Sequence, residues 1–451
     1  MRYGLLLLLL VSLAPASFAQ EDAPGNWPRW RGPLENGTAA DGADPPVNWG
    51  PDQNVKWKTQ LTGSGSSTPV IWGNQIIILS AVKTDRDASG NVVPATTEAD
   101  DADEPSGRRR GRGFGGGSKP KQVHQFIASS YDRRNGDQLW QTILAQQVPH
   151  EAGHATNTFA SASPLTDGKR IWVSFGSRGI FCLDMQGNQI WKRELGEMQT
   201  RNSFGEGSSP ALHENTLVVP WDHEGQSYVA ALDASTGEPI WKTDRDELTT
   251  WATPLITTYK DRTQVILNGT RVRSYDLASG ELLWECDGQA SNPIACPVRF
   301  KDMVICMTGY RGYAIQAIGL DAKGDVNQSD QLVWSRSDAA PYVASPALYK
   351  GTLYFTKSRE GIVSSVDASN GEVLIGQQRL PGISSVYASP VAAADRIYFT
   401  GREGTTVVIK RGPELEVIAT NNLGEAIDAS PAIIGNEMYL RGEKHLYCLS
   451  Q

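Results

Sequence analysis

The sequence predicts an all-β fold: an eight-bladed β-propeller of four-stranded blades, the last blade closed by an N-terminal strand. Three observations carry this expectation. A small residue followed by proline recurs with a period in the forties. An Asp–Gly–Trp signature closes most of the units so defined. One strand near the N-terminal side has no unit of its own, and the final unit lacks one. Repeats of about 40–45 residues made of four short strands are the sequence mark of propeller blades.

The opening dipeptides are Thr68-Pro69, Ser163-Pro164, Ser209-Pro210, Thr253-Pro254, Cys296-Pro297, Ser345-Pro346, Ser389-Pro390 and Ser430-Pro431. Their prolines lie 95 residues apart at the first step, then 46, 44, 43, 49, 44 and 41. Behind each anchor come a short apolar run, a turn and a second alternating strand. One unit reads Ala347-Leu348-Tyr349, Lys350-Gly351, Leu353-Tyr354-Phe355; another reads Ile433-Ile434, Gly435-Asn436, Met438-Tyr439-Leu440. A glycine turn between such runs is a hairpin signal. First strands, following the anchors, should line the central channel, so any ligand belongs at its mouth.

The closing signature is Asp132, Gly136, Trp140, and again Asp233, Gly237, Trp241 and Asp276, Gly280, Trp284. Asp184, Gly187, Trp191 is one residue shorter, Asp321 to Trp334 is stretched by an insertion, and Asp367, Gly371 puts Ile375 in the tryptophan's place. The aspartate and glycine make the turn between third and fourth strands. Trp57, Trp140, Trp191, Trp241, Trp284 and Trp334 are therefore assigned to blade packing rather than to a ligand. After Ser430-Pro431 there is room for three strands, ending at His445 to Ser450; the fourth is expected from Asn54 to Leu61, with Trp57 at the closing position. Closing the ring removes sheet edges that invite aggregation.

Residues 1–19 read as a signal peptide: Arg2, the apolar run Leu5 to Val11, then Ser17-Phe18-Ala19 before Gln20. The run is far shorter than the roughly 20 residues that span a bilayer, and no later stretch qualifies. An exported protein with no membrane span is expected, periplasmic or extracellular, with no cysteine near the cleavage site to carry a lipid. Residues 20–53 form an N-terminal arm and 54–451 the propeller. Within it, an insertion at about 84–122 turns to Asp, Glu, Ala, Ser and Thr, then to Arg108-Arg109-Arg110-Gly111-Arg112 and a glycine run. That composition cannot bury enough apolar area to offset its ordering entropy, so a disordered surface loop is expected; docking of an anionic polymer is the other reading.

Of 451 residues, 42 are basic and 50 acidic, a net charge of −8. This argues against a general nucleic-acid binder, because duplex affinity rests on basic charge. The five cysteines, Cys182, Cys286, Cys296, Cys306 and Cys448, form no adjacent or C-x-x-C pair. An odd count in an oxidising compartment leaves one thiol free or bridges two chains. Cys182 and Cys448, in Phe-Cys-Leu and Tyr-Cys-Leu contexts, read as buried strand residues.

These repeats resemble the exported propeller proteins built from pyrroloquinoline-quinone-type (PQQ-like) repeats, across nearly the whole chain from Trp27 onward. The opening Asn26-Trp27-Pro28-Arg29-Trp30-Arg31-Gly32-Pro33 with Asn54-Val55-Lys56-Trp57-Lys58 is similar to a subgroup associated with planctomycete-like bacteria. One branch of that family comprises quinoprotein dehydrogenases, which oxidise alcohols or sugars with PQQ and calcium. The other comprises non-enzymatic propellers such as the scaffold of the outer-membrane barrel-assembly machinery. In the alcohol-oxidising branch the quinone lies between a tryptophan and a ring of two adjacent disulfide-linked cysteines; this sequence has no such pair. Sugar-oxidising relatives can lack it. The barrel-assembly scaffold is usually lipidated, and this chain departs from that.

Candidate chemistry is sparse, and no catalytic residues are assigned. His150 and His154 are four apart, a ligand spacing on a helix, but Pro149 and Gly153 oppose a helix and loop histidines are the simpler reading. Asp222 and Glu224 lie where two strands of blade three meet; they read as weak calcium ligands or a channel-rim base, or as a hydrated turn. The Trp27-Pro28-Arg29-Trp30-Arg31 cluster could stack on bases or sugars, though an arm clasping the propeller's side is simpler. The expectation is a non-catalytic exported scaffold, a monomeric propeller that binds a protein or peptide partner and needs no cofactor. The alternatives are a periplasmic PQQ- and calcium-dependent oxidoreductase and a carbohydrate-binding propeller.

Overall fold

The structure, a computed structural model, describes residues 25–93, 117–327 and 329–451. Its strands form eight sheets, each beginning directly behind one of the small-residue–proline anchors. Blade one runs from Val70–Trp72 to Gln138–Gln147, blade two from Leu165–Thr166 to Gln189–Arg193, blade three from Ala211–His213 to Pro239–Arg245, and blade four from Leu255–Tyr259 to Leu282–Cys286. Blades five, six and seven run from Val298–Phe300 to Leu332–Arg336, from Ala347–Tyr349 to Val373–Arg379, and from Val391–Ala393 to Glu416–Asn422. Blade eight has Ala432–Ile434, Glu437–Arg441 and His445–Leu449, and its outer strand is Val55–Gln60. That strand pairs antiparallel with the C-terminal one, Trp57 opposite Cys448. The closure predicted from the sequence is therefore the closure of the fold.

The anchors do more than start strands. A residue before proline is held extended, and the proline itself donates nothing, so the anchor's own N–H is the donor that faces the neighbouring blade. The N–H of Thr68 donates to Ser163 Oγ (3.0 Å), Ser163 to Ser209 Oγ (2.9 Å), and Ser209 to Thr253 Oγ1 (3.2 Å). Thr253 donates to Cys296 Sγ (3.0 Å), Cys296 to Ser345 Oγ, Ser345 to Ser389 Oγ and Ser389 to Ser430 Oγ, each of these last three at 2.9 Å. Seven links thus pass from blade to blade around the channel.

A second belt runs outside it. The indole N–H of Trp57, Trp140, Trp191, Trp241 and Trp334 donates to the carbonyl of the residue after the next blade's turn aspartate: Arg133, Met185, Ala234, Leu277 and Ala368. Each ring lies on that turn's glycine. Gly237 has φ +74°, and a Cβ there would stand 2.7 Å from Trp191, so the turn needs glycine for both its backbone and its clearance. Trp284 is the exception. It is fully buried and donates to Gln264 within its own blade. The insertion in blade five lays Gly324–Asp325 parallel against Trp284 and Glu285 as a fifth strand of blade four.

The second strand of blade one continues to Asp87 and turns back through Asn91, so the first residues of the expected insertion are ordered. Residues 94–116, with the arginine tract, and the expected signal peptide lie outside the described residues. All five cysteines are free and buried. Burial pushes the Cys182 and Cys448 thiols up to about 12.

Two outcomes test the architecture. Ser345→Ala strips the acceptor from a buried N–H, which costs roughly 1–3 kcal/mol; urea denaturation should show a loss of that size. Deleting residues before Gly63 removes the outer strand of blade eight, and a truncated protein that melts at the full-length temperature would refute ring closure.

Candidate functional site

The inner strands surround a channel whose two mouths differ, and the N-terminal arm makes the difference. An inner strand has a free edge on the channel side, with unpaired N–H and C=O groups. The arm takes these up at one mouth. Trp27 exchanges two 2.8 Å backbone bonds with Ile71 of blade one, and Thr166 of blade two donates to the Pro28 carbonyl (2.9 Å). Across the channel, Leu348 of blade six donates to Asn36 (3.0 Å) and Ala392 of blade seven to Gly37 (2.9 Å). The Arg31 guanidinium donates to the Pro346 and Pro390 carbonyls, and its burial lowers its pKa to about 10. The cluster expected along the propeller's side instead crosses the end of the channel. There its backbone and Arg31 meet hydrogen-bonding groups that the inner strands leave free on the channel side.

The other mouth is open. Here the blade-to-blade connections and the turns between second and third strands surround a cavity of about 480 Å³. Its floor is Trp30 with the anchor residues Thr68, Ser163, Ser209 and Ser430; the Trp30 indole N–H approaches Ser430 Oγ at 3.4 Å. Its walls include Phe204, Trp251, Tyr310, Tyr342 and Tyr387. Tyr310 and Tyr342 stack, with centroids 4.7 Å apart and planes 24° apart. Arg402 lies over Tyr387 at 4.2 Å and pairs with Asp428 through contacts of 2.6 and 2.9 Å. Arg359 stands exposed at the rim. His154 donates or accepts with Thr156 (2.8 Å), which in turn meets the Tyr387 hydroxyl (3.0 Å). Desolvation, and then the charges of Arg359 and Arg402, hold His154 below its usual pKa and favour the neutral ring.

A simple register generates these walls. The residues two before the anchors are Ser66, Ser161, Gly207, Trp251, Ile294, Val343, Tyr387 and Asp428, and every one of them lines the cavity. In extended chain, positions two apart face the same side. The anchors are legible in the sequence, and the positions two before them, not assigned there, are the signal that locates this lining.

The residues singled out from the sequence lie elsewhere. Asp222 is buried with no side-chain exposure and forms a two-pronged pair with Arg245 at 2.8 and 3.1 Å, also accepting from Thr250. Glu224 accepts the N–H and hydroxyl of Thr249 (3.3 and 2.8 Å). Both are engaged in joining blade three to the connection that follows it. His150 and His154 do not share a helix; His150 Nε2 meets the Met198 carbonyl at 2.6 Å, while His154 faces the mouth. Trp57, Trp140, Trp191, Trp241 and Trp334 form the outer belt, away from the cavity.

The family described as outer membrane protein assembly factor BamB matches residues 124–377 and again 225–451. The chain belongs to this family. BamB of Burkholderia pseudomallei is 24% identical over 324 residues, which cover 68% of this chain and 74% of that one. The crystal structure of BamB from Moraxella catarrhalis has a TM-score of 0.50 at 15% identity, covering 72% of this chain and 91% of the other. A europium-containing methanol dehydrogenase has a TM-score of 0.63 at 10% identity, covering 95% and 99%. At such identities the two structures speak for the shared propeller, and a fold does not determine an activity. Among the described residues of this BamB-family chain, no helix is long and apolar enough to cross a membrane.

The assignment of Asp222 is testable. Removing one member of a buried pair typically costs about 3–5 kcal/mol, because the other charge is left stranded. Asp222→Ala should therefore destabilise the protein by about that amount in chemical denaturation.

Proposed function

We propose that the protein is a non-catalytic exported scaffold that holds a segment of a protein partner in the open mouth of its channel. One observation carries this reading: the arm closes one end, and the other opens into a cavity walled by aromatic rings and hydroxyls, with a single carboxylate in its lining, Asp428, already held by Arg402. Rings fixed by stacking and hydrogen bonds present large contact area at little entropic cost, as binding anchors do. Of the lining's candidates for general acid–base chemistry, Asp428 is committed to a guanidinium and His154 Nδ1 is engaged with Thr156. Membership of the BamB family, named for outer-membrane protein assembly, supports a partner that is itself a protein.

The quinoprotein alternative asks more of the mouth than its residues provide. Calcium takes six to eight oxygen ligands, several of them carboxylates. The lining offers one carboxylate, and the five cysteines are single and buried apart from it. These residues do not fit a quinone–calcium pair.

The test has two arms on the mature protein. In a dye-linked dehydrogenase assay with PQQ, calcium, alcohols and aldoses, no saturable dye reduction is expected; saturable reduction would reverse the proposal. A partner isolated from the cell envelope should bind folded Tyr342→Ala and Tyr387→Ala variants about thirty-fold more weakly, the effect of losing an anchor of about 2 kcal/mol. Unchanged affinity in both would move binding away from the mouth.

A further inference from the structure

We propose that His150, Glu151 and Glu206 bind one divalent metal ion of the zinc class, which ties the connection between blades one and two to the connection between blades two and three. A nitrogen of the histidine and one carboxylate oxygen of each glutamate lie within 4.8 Å of one another. No helix spacing produces this; the two connections run side by side on the face of the open mouth.

Each member is held in place by a group that is not itself a ligand. His150 Nε2 faces the Met198 carbonyl at 2.6 Å and so carries the proton. That leaves Nδ1 with a bare lone pair, buried and without a hydrogen-bond partner. A carbonyl that fixes the tautomer and turns the other nitrogen toward the ion is the usual outer support of a metal-bound histidine. Glu151 accepts the N–H and hydroxyl of Thr200 (3.1 and 2.5 Å). Glu206 accepts the Ser177 N–H (2.7 Å), the Ser177 hydroxyl (2.6 Å) and Arg178 (2.9 Å). Gly176 makes room for that carboxylate, since a Cβ there would overlap Glu206.

Comparison with neighbouring blades separates this cluster from ordinary blade-joining contacts. Glu224 clasps Thr249 and Glu247 clasps Thr270 through the same N–H and hydroxyl pair. Among the described residues, neither belongs to a group of three candidate ligands. At the His150 cluster two carboxylates converge with one guanidinium between them, on Glu206, and Glu151 has no cationic partner among the described residues. One negative charge is left over beside an unmet nitrogen lone pair. A divalent cation answers both. The nitrogen favours zinc over calcium, which prefers oxygen throughout. Three protein ligands leave a fourth position to solvent.

The test uses the tag-free mature protein, stripped with EDTA and shown folded by circular dichroism. Titration calorimetry with zinc chloride should give one equivalent, and calcium chloride none. His150→Ala and Glu206→Gln should each weaken zinc at least about tenfold, while His213→Ala should bind as wild type. Zinc should also raise the melting temperature of the wild type by mass action and leave that of folded His150→Ala unmoved. Should Glu206→Gln fail to fold, Glu151→Gln serves in its place. X-ray absorption of the zinc-loaded protein should show nitrogen and oxygen neighbours only. Absence of one-to-one binding, wild-type affinity in His150→Ala, or sulfur in the first shell would each overturn the site.

Discussion

The ring stands on one repeated contact: the backbone N–H of an anchor residue donating to the side chain of the next anchor. The donor is there because proline follows and an extended strand begins; the acceptor is there because the neighbouring anchor is serine, threonine or cysteine. A buried N–H without an acceptor costs about as much as several good surface contacts gain, so the position tolerates few residue types. The reach of one hydroxyl then sets the blade spacing at the channel, and the stacked indoles set it at the outer strand. Between blades one and two, two and three, three and four, and five and six, both act, and two concentric restraints define the wedge. Cys296 shows that the demand is for a small acceptor rather than for oxygen, since its sulfur takes the Thr253 N–H at 3.0 Å.

From this ring follows the inequality of the two mouths. Strands that converge on a channel leave edges facing it, and those edges need partners or water. The arm supplies partners at one end and brings Trp30 up beneath the anchor ring. What remains is a cup rather than a tube, and its lining is dictated by the same register that dictates the ring. The anchor's N–H meets the neighbouring blade, and the residue two before it lines the cup.

Much of this was legible because it is periodic. The proline anchors, the glycine turns and the unpaired strand at Asn54 to Leu61 gave the blade count and the closure, since each repeats or completes a repeat. What is not periodic was read less well. The small size of Ser345 or Ser389 was visible, but its hydroxyl role depends on a partner more than forty residues away. The Trp27–Arg31 cluster was recognised as an arm, yet its destination depends on edges contributed by four separate blades. The His150–His154 pair drew attention because i, i+4 matters on a helix, whereas on a loop the relevant neighbour was Glu206, far along the chain. Asp222 looked like a turn residue because Arg245, which buries it, lies on another strand.

The shared blade also sets a schedule for folding. Trp57 meets Cys448 across about 390 residues of chain, and closing so long a loop carries a large entropic cost. Hairpins within each blade are local and form early, so a chain emerging from its N-terminus assembles an arc of finished blades first. The first strand must wait, edge exposed, until the last has been made. Speed of completion is therefore governed by the latest-arriving segment, and the interval before it arrives is when the protein is most open to misassociation. A latch between the two ends makes the finished ring hard to open and the unfinished one vulnerable.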